Sequence, residues 1–135
     1  MDLVDFFLKK YNVIQKNIIN DKKKEKFINN YVNKIYIINL ADDFVKRRYI
    51  KIIMEKLKIN YTIIIVQKIH INVFRYLSEK QNKDELLSQS EIGTYLSHLW
   101  CLKNAIENNY DKFIVFEDDI IFNKNFHYNF KNIET

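Results

Sequence analysis

A chain of 135 residues with 47% apolar and 15% aromatic side chains is about one domain, able to bury roughly two thirds of the surface its unfolded form exposes, which excludes a disordered tail. The formal charge of +5, from 22 basic against 17 acidic residues, is spread as dispersed lysines; the one dense run, Lys22, Lys23, Lys24 and Lys26, has no zinc-finger or aromatic-glycine signature beside it, which argues against nucleic-acid binding. A single cysteine, Cys101, excludes an intrachain disulfide and a Cys-based zinc site, and no apolar run approaches the roughly 18 residues of a membrane span.

One glycine and no proline leave the tight turns to Asn and Asp, the next most tolerant of left-handed backbone. The amino terminus, MDLVDFFLKKYNVIQ, is acidic and amphipathic, unlike a basic-then-apolar signal peptide, so the expected location is the cytoplasm. Leu3, Phe7, Tyr11, Ile14 and Ile18 recur at helical spacing. They predict an amphipathic helix ending near Asn20 and Asp21, followed by a charged linker, together an N-terminal helical extension over 1–33.

A domain over 34–135 follows. IYIIN, 35–39, is short, β-branched and bounded by polar residues, which suits a buried strand. Asp42 and Asp43 then stand where a helix wants an N-cap and a negative first turn, ahead of an expected apolar face of Val45, Tyr49, Ile52, Ile53 and Leu57. YTIIIV, 61–66, is a second continuous apolar strand, so a βαβ unit with two parallel, buried strands is predicted. A further helix is expected around 73–81.

Ser88 with Glu91 three residues later is a capping box, and Ile92, Tyr95, Leu96, Leu99, Leu102 and Ile106 form an expected apolar stripe behind it. The spacing predicts a helix to about Asn108, leading into the strand KFIVF. That strand ends in Glu117, Asp118 and Asp119, at the position where open α/β sheets bind ligands.

Two unit charges about 5 Å apart repel by roughly 3 kcal/mol at an effective dielectric near 20, so three adjacent carboxylates call for a cation. Strand alternation would put Glu117 and Asp119 on one side and Asp118 on the other. Mg²⁺ and Mn²⁺ take oxygen ligands and leave positions for water and substrate phosphate. The alternative is that Asp118 and Asp119 form a turn or cap the next element. Glu91 and His98, seven apart, share a helix face, where they orient a ligand or else serve only as cap and packed histidine. Of Arg47 and Arg48, which could grip phosphate as a pair, Arg47 projects away from the expected apolar face and is expected to be solvated, while Arg48, between Phe44 and Ile52, is expected to pack or to reach a ligand. Gly93 inside a helix costs about 1 kcal/mol relative to alanine, which suggests close approach of a backbone or ligand. Trp100 and Cys101 are packing residues, and His70 and His127 have no partner spacing.

The order INL, a helix carrying RR, LSQSEIGTYLSH, and an apolar strand ending in EDD resembles glycosyltransferase family 25, which includes bacterial lipopolysaccharide galactosyltransferases and collagen hydroxylysine galactosyltransferases. The resemblance spans 35–122, with Ser88 where the family usually has Thr and Thr94 where it usually has Cys. It implies an α/β fold, a partial GT-A (Rossmann-like) nucleotide-sugar-binding core. It also implies transfer of a hexose from a UDP-sugar, UDP-galactose or UDP-glucose, to a glycan or hydroxylysine-type protein acceptor, assisted by a divalent cation, Mn²⁺ or Mg²⁺. By position it assigns Asn39, Leu40, Arg48, Glu117 and Asp118 to the nucleotide sugar, Asp119 with Glu117 to the metal, and Glu91 and His98 to catalysis.

The family's catalytic domains continue well beyond the acidic motif, whereas here NKNFHYNFKNIET follows Phe122. The expectation is therefore a donor-binding part, with a completing protein chain as a possible partner. Two alternatives are an inactive remnant or interaction module, and an unrelated acidic-pocket domain of the phospho-receiver type, which lacks its required phosphorylatable Asp on a central strand.

Overall fold

The computed structural model describes residues 14–19, 27–69, 71–79 and 87–131. Its centre is a four-stranded mixed sheet in the order β1-β3-β2-β4, formed by β1 (Ile14–Ile18), β2 (Lys34–Leu40), β3 (Tyr61–Val66) and β4 (Phe113–Glu117). β2 runs parallel to both β3 and β4, and β1 joins β3 antiparallel. Five helices accompany the sheet among the described residues: α1 (Phe27–Tyr31), α2 (Phe44–Leu57), α3 (Ile71–Glu79), α4 (Gln89–Glu107) and α5 (Phe126–Lys131).

The predicted βαβ unit is present. β2 and β3 are buried nearly throughout because both faces of the sheet are covered, which is why they are continuous β-branched runs rather than alternating ones. On one face Ile35, Ile37, Ile63 and Ile65 meet Ile50 and Met54 of α2, with Phe126 and Phe130 of α5 packed alongside. On the other, Tyr36, Ile38, Ile64 and Val66 meet Cys101 and Ala105 of α4. The chain thus leaves β2 over one face to reach β3, then crosses the opposite face through α4 to reach β4 on the other side of β2. The strand order reverses at β2.

The helix starts follow their caps. Asp43 accepts from the Lys46 backbone N–H, and Ser88 and Glu91 exchange both bonds of the capping box. α2 ends on Lys58 at φ 57°, a left-handed position that glycine usually fills, and Asn109 at φ 56° does the same beyond α4. Asparagine also closes loops: Asn29 and Asn60 bond reciprocally at 2.8 and 2.9 Å.

Four expectations need correction. The helix predicted over the first twenty residues falls mostly outside the described residues, and residues 14–18 are instead the edge strand β1; Ile14 and Ile18, four apart, share a face in either period. The stretch expected to be linker contains α1, whose Ile28 is in the core. On α2 the buried residues are Ile50 and Met54, while Val45 and Ile52 are exposed. On α4 the buried face is Ile92, Leu96, Ser97, Cys101 and Ala105, and Tyr95, Leu102 and Ile106 are exposed. Both helices carry apolar residues on more than one side, so periodicity alone does not choose the side that meets the sheet. The helix expected at 73–81 is α3, starting two residues earlier, with Lys80 and Gln81 outside the described residues. No helix among the described residues is long and apolar enough to cross a membrane.

Candidate functional site

The carboxyl ends of β2 and β4, together with the start of α2, enclose one side of a cleft of about 520 Å³; the segment after β3 and the first turns of α4 enclose the other. This is the point where the strand order reverses, and neighbouring parallel strands whose helices depart to opposite faces leave a crevice there.

β4 ends at Glu117 and the chain turns over Asp118 and Asp119, so strand alternation stops before it can separate them. All three carboxylates line the cleft. Asp118 is held by Asn39 at the end of β2: the buried amide Nδ2 donates to Asp118 Oδ2 at 2.8 Å and to the Asp43 carbonyl at 3.1 Å. Asn39 is 1% exposed, and its Oδ1 is buried with no hydrogen-bond partner among the described residues. Glu117 Oε1 lies 3.2 Å from His98 Nε2 on α4. Asp119 is exposed, with no ion pair among the described residues.

The other expected site residues separate. Leu40 lines the cleft. Glu91 is exposed beside it, its carboxyl held below the ordinary glutamate range by the Ser88 backbone N–H and then by the Ser88 hydroxyl. His98 is outside the lining and is joined to it through Glu117. Arg48 is exposed on α2, also outside the lining. Arg47 donates to the Ala41 carbonyl at 2.9 Å and stacks over the Phe44 ring, so it fastens the β2–α2 loop. Gly93 lines the cleft, where the missing Cβ leaves room, and its carbonyl accepts from Ser97 Oγ.

Sequence reasoning missed Lys46. It sits three residues past the N-cap Asp43 and lines the cleft, with its ammonium 3.6 Å from Asp43 Oδ2 and 3.9 Å from Asp118 Oδ1. The available signal was the cap itself, which fixes Lys46 in the first turn at the ligand-facing end of the sheet. Lys68, just beyond β3, also lines the cleft.

Among the described residues no three His, Cys, Asp or Glu side chains converge closely enough to enclose a metal on protein ligands alone. A donor set of one or two carboxylates still fits Mg²⁺ or Mn²⁺, which commonly keep water and take phosphate oxygens for the remaining positions. The charge of the cleft agrees with that fit. Its ionisable lining is four carboxylates, Asp43, Glu117, Asp118 and Asp119, against the two lysines, a formal −2.

A doubly covered α/β sheet with a carboxylate-lined cleft at its switch point defines the class, a partial Rossmann-like α/β core. The family model for glycosyltransferase family 25, described as a lipopolysaccharide biosynthesis protein family, matches residues 32–135, and the chain belongs to that family. Comparisons with curated proteins and with solved structures return no match.

Proposed function

We propose that this chain forms the donor-binding part of a hexosyltransferase that takes galactose or glucose from a UDP-sugar and passes it to a glycan or hydroxylysine-type acceptor with the help of Mn²⁺ or Mg²⁺. The observation that carries the proposal is the cleft at the switch point, in which Glu117, Asp118 and Asp119 meet Asn39 and Lys46.

A nucleoside diphosphate is an anion, and a cleft of formal charge −2 repels it unless a cation enters too. Asp119, with Glu117, would hold that cation, which when bound supplies positive charge to the departing diphosphate. The chain's own groups do the rest. Ile38, Leu40, Val66 and Ile69 give the cleft an apolar wall for the flat base, as ligand sites generally do. Ser88, Ser90 and Thr94, at the start of α4, line the same space, and their hydroxyls would offer hydrogen bonds to ribose or hexose. Asn39 orients Asp118, and His98 steadies Glu117 at the rim.

The test is calorimetric titration of the folded 135-residue chain with UDP, UDP-galactose and UDP-glucose, with and without Mn²⁺. Metal-dependent binding is expected, and Asp119→Asn should weaken it at least roughly tenfold, the scale on which changes at a metal site act, while leaving the fold intact. Unchanged Mn²⁺-dependent UDP affinity in that variant removes the assignment of Asp119. A folded chain that ignores all three ligands favours the other reading, a non-catalytic interaction module. One observation speaks for that reading: Val45 and Ile52 on α2, and Tyr95 and Ile106 on α4, are 81%, 54%, 58% and 67% exposed.

A further inference from the structure

Lys46 is the one basic residue in the first turn of α2 that lines the cleft; Arg47 is committed to the Ala41 carbonyl and the Phe44 ring, and Arg48 lies outside the lining. Its ammonium hangs between two carboxylates, at 3.6 Å from Asp43 and 3.9 Å from Asp118, with no closer hydrogen bond among the described residues. The side chain is 51% exposed. Ion pairs of that length and exposure hold a flexible four-carbon stem only weakly, so the ammonium is free to move over the reach of its own side chain.

Asp118 has one oxygen occupied by Asn39 and the other facing Lys46. A divalent cation arriving at the neighbouring carboxylates therefore meets Lys46 as a like charge, and repulsion between them grows as they share the same few ångströms. The negative charge that enters with the cation is a diphosphate, whose oxygens accept from an ammonium in the same way that carboxylates do. Moving Lys46 from Asp118 to phosphate keeps the ammonium paired throughout.

We propose that Lys46 is the diphosphate-binding cation of this cleft, held on Asp43 and Asp118 until a divalent cation on the neighbouring Glu117 and Asp119 repels it toward phosphate. The inference rests on the donor-cleft reading above, and it assigns opposite effects to one side chain. Lys46 competes with the metal when no nucleotide is present. It helps the nucleotide once the metal is bound.

Lys46→Met keeps the aliphatic stem and removes the charge at an exposed position, so the fold is retained. Calorimetry with Mn²⁺ alone, followed by UDP at saturating Mn²⁺, reads both effects. The variant should bind Mn²⁺ more tightly than the wild-type chain, because the competing ammonium is gone. Its UDP affinity should fall roughly tenfold, the ratio carried by one charge-assisted hydrogen bond, and Lys46→Arg should recover most of that loss. A general structural injury would lower both affinities together. An unchanged UDP affinity, or a Mn²⁺ affinity that does not rise, overturns the inference. Failure of the donor-cleft reading is separate and shows first in the wild-type chain, which would then bind neither Mn²⁺ nor UDP.

Discussion

The side-chain amide of Asn39 donates both of its N–H bonds across the point where the strand order reverses, one to Asp118 beyond β4 and one to the Asp43 carbonyl at the start of α2. The residue is buried and its Oδ1 has no partner among the described residues, a cost of about 1–3 kcal/mol that an apolar side chain would not incur. What it provides in exchange is orientation. A carboxylate at a turn has two free torsions, and the 2.8 Å bond removes that freedom before any ligand arrives. A double-mutant cycle between Asn39→Ala and Asp118→Ala isolates this bond from the one to Asp43, since the latter survives in Asp118→Ala. Urea denaturation of the four proteins should give a coupling energy of about 1.5–3 kcal/mol, the range of hydrogen bonds to charged groups. Near-zero coupling would mean that Asn39 serves α2 alone. The motif order in the sequence pointed to Asn39 as a contact residue, and to arginines over Lys46. Only the path of β2 into α2 shows that the asparagine is covered and the lysine is open to the cleft.

At the scale of elements, α4 presents Ser88, Ser90, Gly93, Thr94 and Ser97 to the cleft, so its first turns must be fixed for the site to exist. The capping box does this, with Glu91 as the ionised partner of the Ser88 N–H. Its carboxyl is held below the ordinary value of 4.5, so the folded chain releases this proton more readily than the unfolded one. The resulting stability is fully present above 4.5 and is lost as pH falls through the lower folded value. Melting curves of the wild-type chain and Glu91→Gln, taken from neutral pH to about pH 3, should differ by a constant amount near neutrality and converge in acid. A difference that persists undiminished in acid would mean that the Glu91 contribution does not depend on its ionised carboxylate. This helix was legible because Ser88, Glu91 and the residues behind them agree on one start. β2, β3 and β4 were legible for a similar reason, being short β-branched or aromatic runs with polar ends. β1 was not, because two apolar residues four apart satisfy both periods. The buried faces of α2 and α4 were not, because their apolar residues surround the axis and only the sheet selects among them. α5 was invisible until the structure placed Phe122, Phe126 and Phe130 against Phe116 and Tyr31.

For the whole molecule, Cys101 offers a reporter of how the covered sheet and the cleft depend on one another. It lies in α4 against Tyr36, Ile38, Ile64 and Val66, is 0% exposed, and has its thiol pushed up to about 12 by burial. The thiolate is the reactive form, so a disulfide-exchange reagent at mildly alkaline pH meets almost none of it, and no path to it, in the folded chain. Labelling then requires an opening event. If α4 and the sheet separate only when the chain unfolds globally, the labelling rate follows the unfolded fraction and is sensitive to anything that binds the folded state alone. A ligand at about 100 times its Kd lowers that fraction roughly a hundredfold. Labelling in the presence of Mn²⁺ and UDP should therefore slow by about that factor relative to the unliganded chain. Lys46→Met, compared at saturating Mn²⁺ and the same UDP concentration, should gain less protection from the added UDP. Rapid labelling that ignores the ligand would show instead that α4 lifts from the sheet while the strand ends stay in place. The acidic turn after β4 and the first turns of α4 would then belong to separately stable units, and the cleft between them would have to be assembled by the nucleotide rather than offered to it.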